Sequence, residues 1–390
     1  MIPYGQQKID DDDIAAVTKV LRSDYLTQGP EVENFENAFS TFVSAEFTIA
    51  VNSATSALHL ACMAIDLGPR DILWTSPNSF VASANCGRYC GARVDFVDID
   101  SEYLTICPKK LSEKFTYAKA INAVPKALVL VHFAGQVAYL EEISKLCKTN
   151  NVILIEDASH AIGAQYNGHY VGNCEYSDMT VFSLHPVKII TAGEGGLLTT
   201  NDSGLYKNAK MNRTHGITRD ETDFNYKAKG PWFYEQKNLG YNYRMSDISA
   251  ALGNSQLNKV RNFIYRRKEI FNFYNETLAD LPLKLPKGFL KSDSSHHLYV
   301  IQTKENLQKN ERSKLFNFLR ERGIGVNVHY IPIHLQPYYR EIGFKDGDFP
   351  DAEEYYENTI SLPIHPRLSK ENLTYIVNCL KNYFKRGRQA

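Results

Sequence analysis

The sequence predicts an α/β protein in which a mostly parallel sheet of seven strands is flanked by helices and followed by a small α+β C-terminal domain. Two observations support this prediction. Short apolar runs alternate with helical patterns between residues 49 and 200, which is typical of parallel strands joined by crossover helices. The run at residues 152–155 is apolar at every position, as expected for a strand covered on both faces of its sheet.

Two helices precede the sheet in this prediction. Four aspartates at residues 10–13 open an amphipathic run that extends to Leu21, and acidic side chains stabilise a helix N-terminus through its dipole. An aspartate cluster can also bind a metal ion, but the helix start explains these residues more simply. Gly29 and Pro30 then interrupt the chain, and a second helix follows with an apolar face.

The seven predicted strands lie at residues 49–51, 72–74, 94–97, 127–131, 152–155, 179–182 and 196–199. Helical patterns lie between several of them, at residues 54–65, 81–89 and 140–148. No helical pattern separates the last two strands. The loop that joins these two strands is rich in glycine and carries a lysine, so we regard it as a candidate site.

A long helical pattern runs from residue 246 to about 279, after an irregular, polar and aromatic stretch. It predicts a large domain at residues 1–245, a linking helix at 246–280 and a small domain at 281–390. In the small domain, strand patterns lie at residues 297–302 and 324–329, and helical patterns at 312–322 and 370–384.

The charge balance restricts the kind of partner that this chain binds. Lys and Arg number 44 and Asp and Glu number 44, so the formal net charge is zero. Binding to nucleic acid or to an anionic membrane surface is therefore disfavoured, because both require a basic excess. No apolar run reaches the roughly 18 residues of a membrane span, and the first residues do not resemble a signal peptide, so we expect a cytoplasmic protein.

Neither the cysteines nor the paired histidines form a strong metal motif. Seven cysteines are scattered along the chain, and the pair Cys86 and Cys90 has no second pair that would complete a zinc site. We expect free thiols in a reducing compartment. His296 and His297 lack a third ligand nearby, so we expect them to be structural and expect no bound metal.

Two segments carry side chains suited to an aromatic, phosphorylated cofactor. Asp157 follows the strand at 152–155, where acidic side chains reach the ligand crevice of a parallel sheet and a protonated pyridine nitrogen would neutralise them. Ser183 and Lys188 lie in the loop between the last two strands, and a desolvated lysine amine can form a Schiff base. Taken alone, a helix N-cap explains the first segment equally well, and a lysine in a flexible turn explains the second.

Two further segments complete the pattern. Residues 52–57 place small hydroxyl side chains and free backbone N–H groups at a helix N-terminus, which can bind an anion, although most such segments are only caps. Phe80 follows the next strand and is suited either to stack on a ring or to pack in the core. A phosphate site, a stacking ring, a pyridinium partner and a Schiff-base lysine together predict pyridoxal 5′-phosphate (PLP).

These motifs resemble those of the DegT/DnrJ/EryC1/StrS family of sugar aminotransferases, from residues 2–5 to the last predicted helix. The resemblance implies a fold-type-I PLP-dependent transferase that acts on a nucleotide-linked keto sugar. Residues 26–30, 52–59 and 183–188 are most similar to a branch that acts in pseudaminic acid synthesis. Members of that branch use glutamate to aminate C4 of a UDP-linked 4-keto-6-deoxy-N-acetylhexosamine.

The resemblance implies roles for individual residues at the cofactor. Lys188 would form the internal aldimine and later shuttle the proton, and Asp157 would pair with the pyridinium nitrogen. His160 stands where many family members have glutamine and would contact the ring hydroxyl. Phe80 would stack on the ring, and the phosphate would be held by Ala54, Thr55 and Ser183.

The resemblance also implies a homodimer with a shared active site, in which Asn242 reaches the phosphate bound by the neighbouring subunit. The candidates for contact with the UDP-keto sugar are Tyr4, His185, Arg244, His329, Tyr330 and His334. Some relatives have histidine in place of the cofactor lysine and act as dehydratases, so Lys188 favours transamination.

Other functions would use the same cofactor site. One is amination of a D-configured UDP sugar at C4, or of a dTDP-linked keto sugar at C3 or C4. Another is a sugar-nucleotide-binding regulator that retains the fold without catalysis. The combination of Lys188, Asp157 and Ser183 disfavours a non-catalytic regulator, but it does not distinguish between the possible sugar substrates.

Overall fold

A computed structural model describes residues 1–304 and 310–386. It confirms the seven-stranded sheet, and each predicted run forms one of its strands. The strands are β1 (Phe47–Val51), β2 (Ile72–Thr75), β3 (Arg93–Phe96), β4 (Ala127–Val131), β5 (Ile153–Asp157), β6 (Met179–Ser183) and β7 (Gly196–Thr200).

The order of strands across the sheet is β1-β7-β6-β5-β4-β2-β3. Strands β6, β5, β4, β2 and β3 are parallel to one another, whereas β7 is antiparallel to both of its neighbours. The carboxyl ends of β1, β2, β4, β5 and β6 therefore meet the amino end of β7 at one edge of the sheet. This edge is where a parallel α/β sheet usually binds its ligand.

The helices cover both faces of the sheet and form much of the C-terminal region. They are α1 (Asp11–Leu21), α2 (Pro30–Val43), α3 (Ala54–Ala64), α4 (Ala82–Tyr89), α5 (Pro108–Ala120), α6 (Leu140–Thr149), α7 (Ser203–Arg213), α8 (Asp247–Leu257), α9 (Val260–Leu278), α10 (Glu311–Glu321), α11 (Pro337–Glu341), α12 (Pro350–Asn358) and α13 (Lys370–Arg386). One apolar core lies on each side of the sheet, and a third lies in the C-terminal region.

The aspartates at residues 10–13 form a helix start, as predicted. The backbone N–H of Asp13 donates to Asp10 Oδ1 (3.3 Å), and the Asp10 N–H donates to Asp13 Oδ2 (3.1 Å). This reciprocal pair is a capping box, which satisfies backbone donors that a helix N-terminus leaves free. The buried Asp13 also accepts a hydrogen bond from Ser255 (2.6 Å), so the cluster joins α1 to α8.

The prediction of one continuous helix from residue 246 to 279 is wrong. The chain forms α8 and α9 with a break at Asn258 and Lys259. Lys259 forms ion pairs with Asp10 and Asp13 at the start of α1. Because α8 packs against α1 and α2, it belongs structurally with the N-terminal helices, while α9 packs against α13.

The C-terminal region contains a three-stranded antiparallel sheet made of β8 (Leu283–Lys284), β9 (Tyr299–Thr303) and β10 (Thr359–Leu362). The predicted strand at residues 297–302 and the helices at 312–322 and 370–384 are confirmed within a few residues. Two-residue strands also occur, at Gln165–Tyr166, His169–Tyr170, Ile217–Thr218, Glu235–Gln236 and Ser292–Asp293.

The predicted strand at residues 324–329 is wrong, because this segment makes only isolated bridges. Ile324 bridges Ile2, and Asn327 bridges Ser361. The N-terminal segment passes close to Gly325, whose backbone N–H donates to the Ile2 carbonyl (2.6 Å). A Cβ atom at residue 325 would lie 2.8 Å from that carbonyl oxygen, so glycine permits the approach that leads residues 2–4 towards the ligand edge of the sheet.

Candidate active site

A cavity of about 480 Å³ lies at the ligand edge of the sheet. Its walls come from the carboxyl ends of β4, β5 and β6, the N-termini of α3 and β7, the loop before α4, and residues 327–330 of the C-terminal region. Most of the residues predicted for the site line this cavity. They are Tyr4, Ala54, Thr55, Phe80, Asp157, His160, Ser183, His185, Lys188, His329 and Tyr330.

Asp157 is the last residue of β5, and its buried carboxylate faces the cavity. The Ser83 hydroxyl donates to Asp157 Oδ2 (2.6 Å), and the Ser159 backbone N–H donates to Oδ1 (3.1 Å). Ser79 Oγ lies 2.7 Å from Ser83 Oγ and extends this chain of hydrogen bonds. The carboxylate is therefore fixed in orientation, and it is available to a cationic nitrogen in the cavity.

The neighbouring Glu156 points to the opposite side of the sheet, because successive side chains of a strand alternate. Its carboxylate lies 2.5 Å from His132 Nε2 and accepts hydrogen bonds from Ser177 (2.5 Å) and Thr180 (3.0 Å). Burial alone would raise the pKa of Glu156, but these partners lower it below its usual value. Of the two adjacent acids, only Asp157 belongs to the cavity.

Lys188 lies in the loop between β6 and β7, and it is partly buried. The loop begins with a turn, in which the Lys188 N–H donates to the His185 carbonyl (2.9 Å). Further along the loop, Thr191 Oγ1 donates to the Leu184 carbonyl (2.9 Å). Burial lowers the pKa of Lys188 to about 8, although the nearby Asp157 charge raises it. About a tenth of this amine is thus neutral and nucleophilic at pH 7, whereas an ordinary lysine, with a pKa of about 10.4, is almost wholly protonated there.

The N-terminus of α3 is suited to bind an anion, because the first backbone N–H groups of a helix are free to donate. Ser53 caps the helix by accepting from the Ser56 N–H (3.1 Å), and Ala54 and Thr55 line the cavity beside it. Gly196 of β7 packs against this turn so closely that a Cβ atom would lie 2.5 Å from the Ser53 carbonyl. The absence of a side chain at Gly196 therefore brings the helix N-terminus next to Ser183, which ends β6.

His160 has a defined protonation state. The Ala134 N–H donates to His160 Nδ1 (3.2 Å), and burial, with the nearby Lys188 and His329, holds the pKa of His160 well below its usual range. The neutral ring therefore carries its proton on Nε2, which lies 3.1 Å from the Tyr330 hydroxyl oxygen. Since Tyr330 Oη accepts this bond, its own proton remains for an acceptor in the cavity.

Neutral polar side chains form the cavity wall opposite the sheet. Burial and the nearby Lys188 lower the pKa of His329 to about 4, and His329 Nδ1 lies 2.8 Å from Ser361 Oγ. Burial also holds the pKa of His297 well below its usual range. The Tyr4 ring lies 5.5 Å from that of His329. This wall presents hydrogen-bonding groups without net positive charge.

Phe80 is 59% exposed, which is unusual for a large apolar ring that follows a buried strand. Its ring centroid lies 6.4 Å from that of Tyr330 across the cavity. An uncovered aromatic face at this position fits stacking on a planar ring better than it fits core packing.

Three predicted site residues lie outside the cavity. His334 is fully buried between Phe96 and Phe349 and hydrogen-bonds with Glu353 (2.9 Å), so its prediction as a substrate contact in this cavity is wrong. Arg244 lines a second cavity of about 350 Å³ and does not contact this one, so its role at the substrate stays a prediction. Asn242 is exposed on the surface, where it does not contact the cavity of its own chain.

The structure adds residues that the sequence patterns did not identify. Ser83 orients Asp157, and its only sequence signal is its spacing of one helical turn from Ser79. Asn327 and Glu194 also line the cavity, as does His297, which we had expected to be structural. Asn327, Glu194 and His297 come from irregular segments whose position depends on the tertiary fold.

The residues present fit PLP. The helix N-terminus at α3 and the Ser183 hydroxyl supply neutral donors for a phosphate, and Phe80 supplies a free ring face. Asp157 supplies a fixed negative charge for the pyridine nitrogen, and Lys188 supplies an amine with a lowered pKa. The fold and the site together define a PLP-dependent aminotransferase.

Comparison with known proteins identifies the family. Residues 7–381 match the model of the DegT/DnrJ/EryC1/StrS aminotransferase family, so the chain belongs to that family and is a sugar aminotransferase. It is 36% identical to the spore coat polysaccharide biosynthesis protein SpsC of Bacillus subtilis, over 98% of this chain and 97% of the relative. It is 35% identical to the UDP-4-amino-4,6-dideoxy-N-acetyl-beta-L-altrosamine transaminase of Campylobacter jejuni, over 100% and 99% of the two chains.

A solved structure gives the same result. The putative sugar aminotransferase Spr1654 from Streptococcus pneumoniae, in its PMP-form, has a TM-score of 0.90 at 28% identity. The match covers 99% of this chain and 100% of that structure's chain.

Within the residues described, no helix is long and apolar enough to cross a membrane. The same residues contain no cluster of three or more His, Cys, Asp or Glu side chains placed to bind a metal ion.

Proposed function

We propose that this enzyme transfers the amino group of L-glutamate to C4 of a UDP-linked 4-keto-6-deoxy-N-acetylhexosamine. The product would be UDP-4-amino-4,6-dideoxy-N-acetyl-β-L-altrosamine, for pseudaminic acid synthesis. The observation that carries transamination is the presence of Lys188 and the fixed Asp157 in one cavity. The 35% identity to the Campylobacter jejuni transaminase over the whole chain supports the choice of sugar.

The protein residues divide the work of the two half-reactions. Bound PLP supplies an electron sink for the carbon that loses or gains a proton. The Lys188 amine, with its pKa near 8, is suited both to accept that proton and to return it. The negative charge of Asp157 would favour a proton on the pyridine nitrogen of the bound cofactor, and Ser83 keeps the carboxylate in place.

The wall formed by Tyr4, Asn327, His329 and Tyr330 faces the space left for the sugar. Burial raises the pKa of Tyr330, so its hydroxyl stays protonated, and the bond from His160 leaves that proton for a ligand acceptor. A keto or hydroxyl oxygen of the sugar is such an acceptor. We therefore assign Tyr330 to the sugar half-reaction.

A Tyr330→Phe variant is expected to lower kcat/KM for the keto sugar about tenfold, which corresponds to one hydrogen bond of about 1.4 kcal/mol. The half-reaction with glutamate should change much less, because the assignment places this hydrogen bond on the sugar. Single-turnover measurements of each half-reaction would separate the two effects. Tyr338→Phe, which alters an exposed tyrosine beside Arg88, is the matched control. Equal losses in both half-reactions would contradict the assignment.

A substrate panel tests the choice of sugar. With glutamate as donor, the enzyme should aminate UDP-4-keto-6-deoxy-L-AltNAc at least tenfold faster than its D-configured isomer and than dTDP-linked keto sugars. That margin corresponds to about 1.4 kcal/mol of differential transition-state binding. The 36% identity to a Bacillus subtilis spore coat polysaccharide protein makes the other sugars real competitors. Preference for one of them would change the substrate and leave the aminotransferase class intact.

We also propose that the enzyme is a homodimer with shared active sites. Asn242 is exposed and follows a segment with several uncovered apolar side chains, among them Tyr226 (76% exposed), Trp232 (74%) and Leu239 (78%). A second copy of the chain would cover this surface. In such a dimer, Asn242 reaches the phosphate held at the partner's α3.

Subunit complementation tests the shared site. Lys188→Ala and Asn242→Ala, each weakly active alone, are co-expressed with different tags, and the mixed dimer is purified. One of its two sites would contain both changes and the other neither, so about half of the wild-type activity should return. Activity no higher than that of the parent variants would contradict the placement of Asn242.

We further propose a cytoplasmic location, where the seven free cysteines would stay reduced.

A further inference from the structure

His297 is a buried polar side chain that the proposed reaction leaves without a role. Its ring lines the PLP cavity, although only 4% of the residue is exposed. Its Nδ1 is inaccessible to solvent, and neither ring nitrogen hydrogen-bonds to another of the residues described. Buried polar atoms are normally paired, because leaving one unpaired is costly. The cavity is therefore where this imidazole can find a partner.

The adjacent His296 shows that an unpaired ring is not sufficient for a site. Both of its ring nitrogens are buried and unpaired among the described residues. Its ring packs against Phe271, with 4.5 Å between the centroids, and does not line the cavity. What distinguishes His297 from this neighbour is its position in the cavity wall.

The backbone around His297 is fixed by two other segments. The His297 N–H donates to the Ala134 carbonyl (3.0 Å), and the Ala134 N–H donates to His160 Nδ1 (3.2 Å). The Ser295 hydroxyl donates to the His160 carbonyl (2.5 Å). The rings of His297 and His160 therefore lie side by side, with 4.4 Å between their centroids and an angle of 38° between their planes.

A cation lies directly behind His297. Arg267 Nη1 donates to the carbonyls of His297 (3.1 Å) and Ile364 (2.9 Å). Arg267 is 1% exposed, and no acidic side chain among the described residues pairs with it. Burial lowers its pKa to about 9, so the guanidinium keeps its charge at neutral pH. The part of the cavity beside His297 therefore favours a negative charge.

His297 is itself a neutral hydrogen-bond donor. Burial, with the nearby His160 and Lys188, holds the pKa of His297 well below its usual range. A proton on the inaccessible Nδ1 would be a buried donor without an acceptor, so we place the proton on Nε2. An N–H group in front of a buried cation is suited to an anionic oxygen.

We propose that His297 binds an anionic oxygen of a ligand in this cavity. The inference rests on the proposed function, whose ligands offer two such oxygens near the reacting atoms. One is the ring oxygen of PLP, and the other is a carboxylate oxygen of the glutamate donor. The diphosphate of a UDP sugar is attached across the sugar ring from C4, so it lies away from the reacting atoms.

Two binding measurements on His297→Phe, which removes both ring nitrogens, separate the cofactor from the donor. If the oxygen belongs to PLP, the cofactor-free variant should bind PLP about 10- to 100-fold more weakly, the usual effect of losing a hydrogen bond to a charged group. If the oxygen belongs to glutamate, the affinity for PLP should stay unchanged, and the Kd of glutamate should rise by the same factor. Fluorescence titration measures the first affinity, and single-turnover absorbance measures the second.

His296→Phe is the matched control, because it replaces a neighbouring buried and unpaired imidazole outside the cavity. It should keep the wild-type affinities for PLP and glutamate. His297→Gln retains an N–H donor and should recover part of the affinity that His297→Phe loses. Circular dichroism of each variant verifies that it is folded.

Three results would each overturn the proposal. They are unchanged affinities for both PLP and glutamate in His297→Phe, equal losses in His296→Phe, and a loss confined to the half-reaction with the keto sugar. A wild type that rejects glutamate would instead contradict the proposed donor, and the PLP titration would still test His297.

Discussion

A Lys188→Ala variant is expected to lose transamination by at least about 10²–10⁴-fold, the usual contribution of a positioned acid–base group. Among the residues described, Lys188 is the one lysine that lines the cavity, so no other lysine there is placed to replace its amine. The variant should also lose the visible absorbance that PLP shows when it is bound covalently through a lysine. Turnover assays and absorbance spectra of the purified protein measure the two losses.

Lys188→Arg provides the control for charge, since arginine keeps a cation but stays protonated and cannot act as the nucleophile. It should be as inactive as the alanine variant.

The pH dependence gives an independent check. Because the amine must be neutral to react, the uptake of PLP by the cofactor-free protein should accelerate as pH rises through about 8, the lowered pKa of Lys188, and level off above it. Full turnover in Lys188→Ala would refute the role of this residue.

The second large effect is expected for Asp157→Asn. Asparagine keeps the size of the side chain and can still accept from Ser83, but it removes the negative charge that faces the cavity. Removal of one preorganised electrostatic group typically costs about 10²–10³-fold in kcat, and we expect a loss of that size in both half-reactions. Stopped-flow absorbance in each half-reaction would measure it.

Ser83→Ala is the matched control for this prediction. It leaves the Asp157 carboxylate charged and removes one of its hydrogen bonds, so a loss of about tenfold or less is expected. If Asp157→Asn cost no more than Ser83→Ala, the charge of Asp157 would not be the property that matters. A retained absorbance spectrum in both variants would show that the cofactor is still bound through Lys188.

Much of the fold was predictable because buried parallel strands have a strong local pattern. All seven strands of the main sheet were found from their apolar runs, including β5, which ends at Asp157, and β6, which ends at Ser183. The break between α8 and α9 was not predicted from the sequence. The residues at the break, Asn258 and Lys259, are neither proline nor glycine, which are the usual sequence signals for the end of a helix. The ion pairs of Lys259 with Asp10 and Asp13, which join residues far apart in the chain, accompany that break.

The sequence by itself identified the side chains that we propose carry the chemistry. Asp157 and Ser183 are the last residues of their strands, and the α3 N-terminus and Lys188 follow strands within a few residues. Their arrival at one edge therefore depends only on the order and direction of the strands in the sheet. The tertiary structure alone decided which of two adjacent acids enters the cavity. It also placed Tyr330, His329 and Tyr4 on the opposite wall and Arg244 and His334 outside it. These positions depend on contacts between distant segments, such as Ile2 with Gly325, which no local pattern encodes.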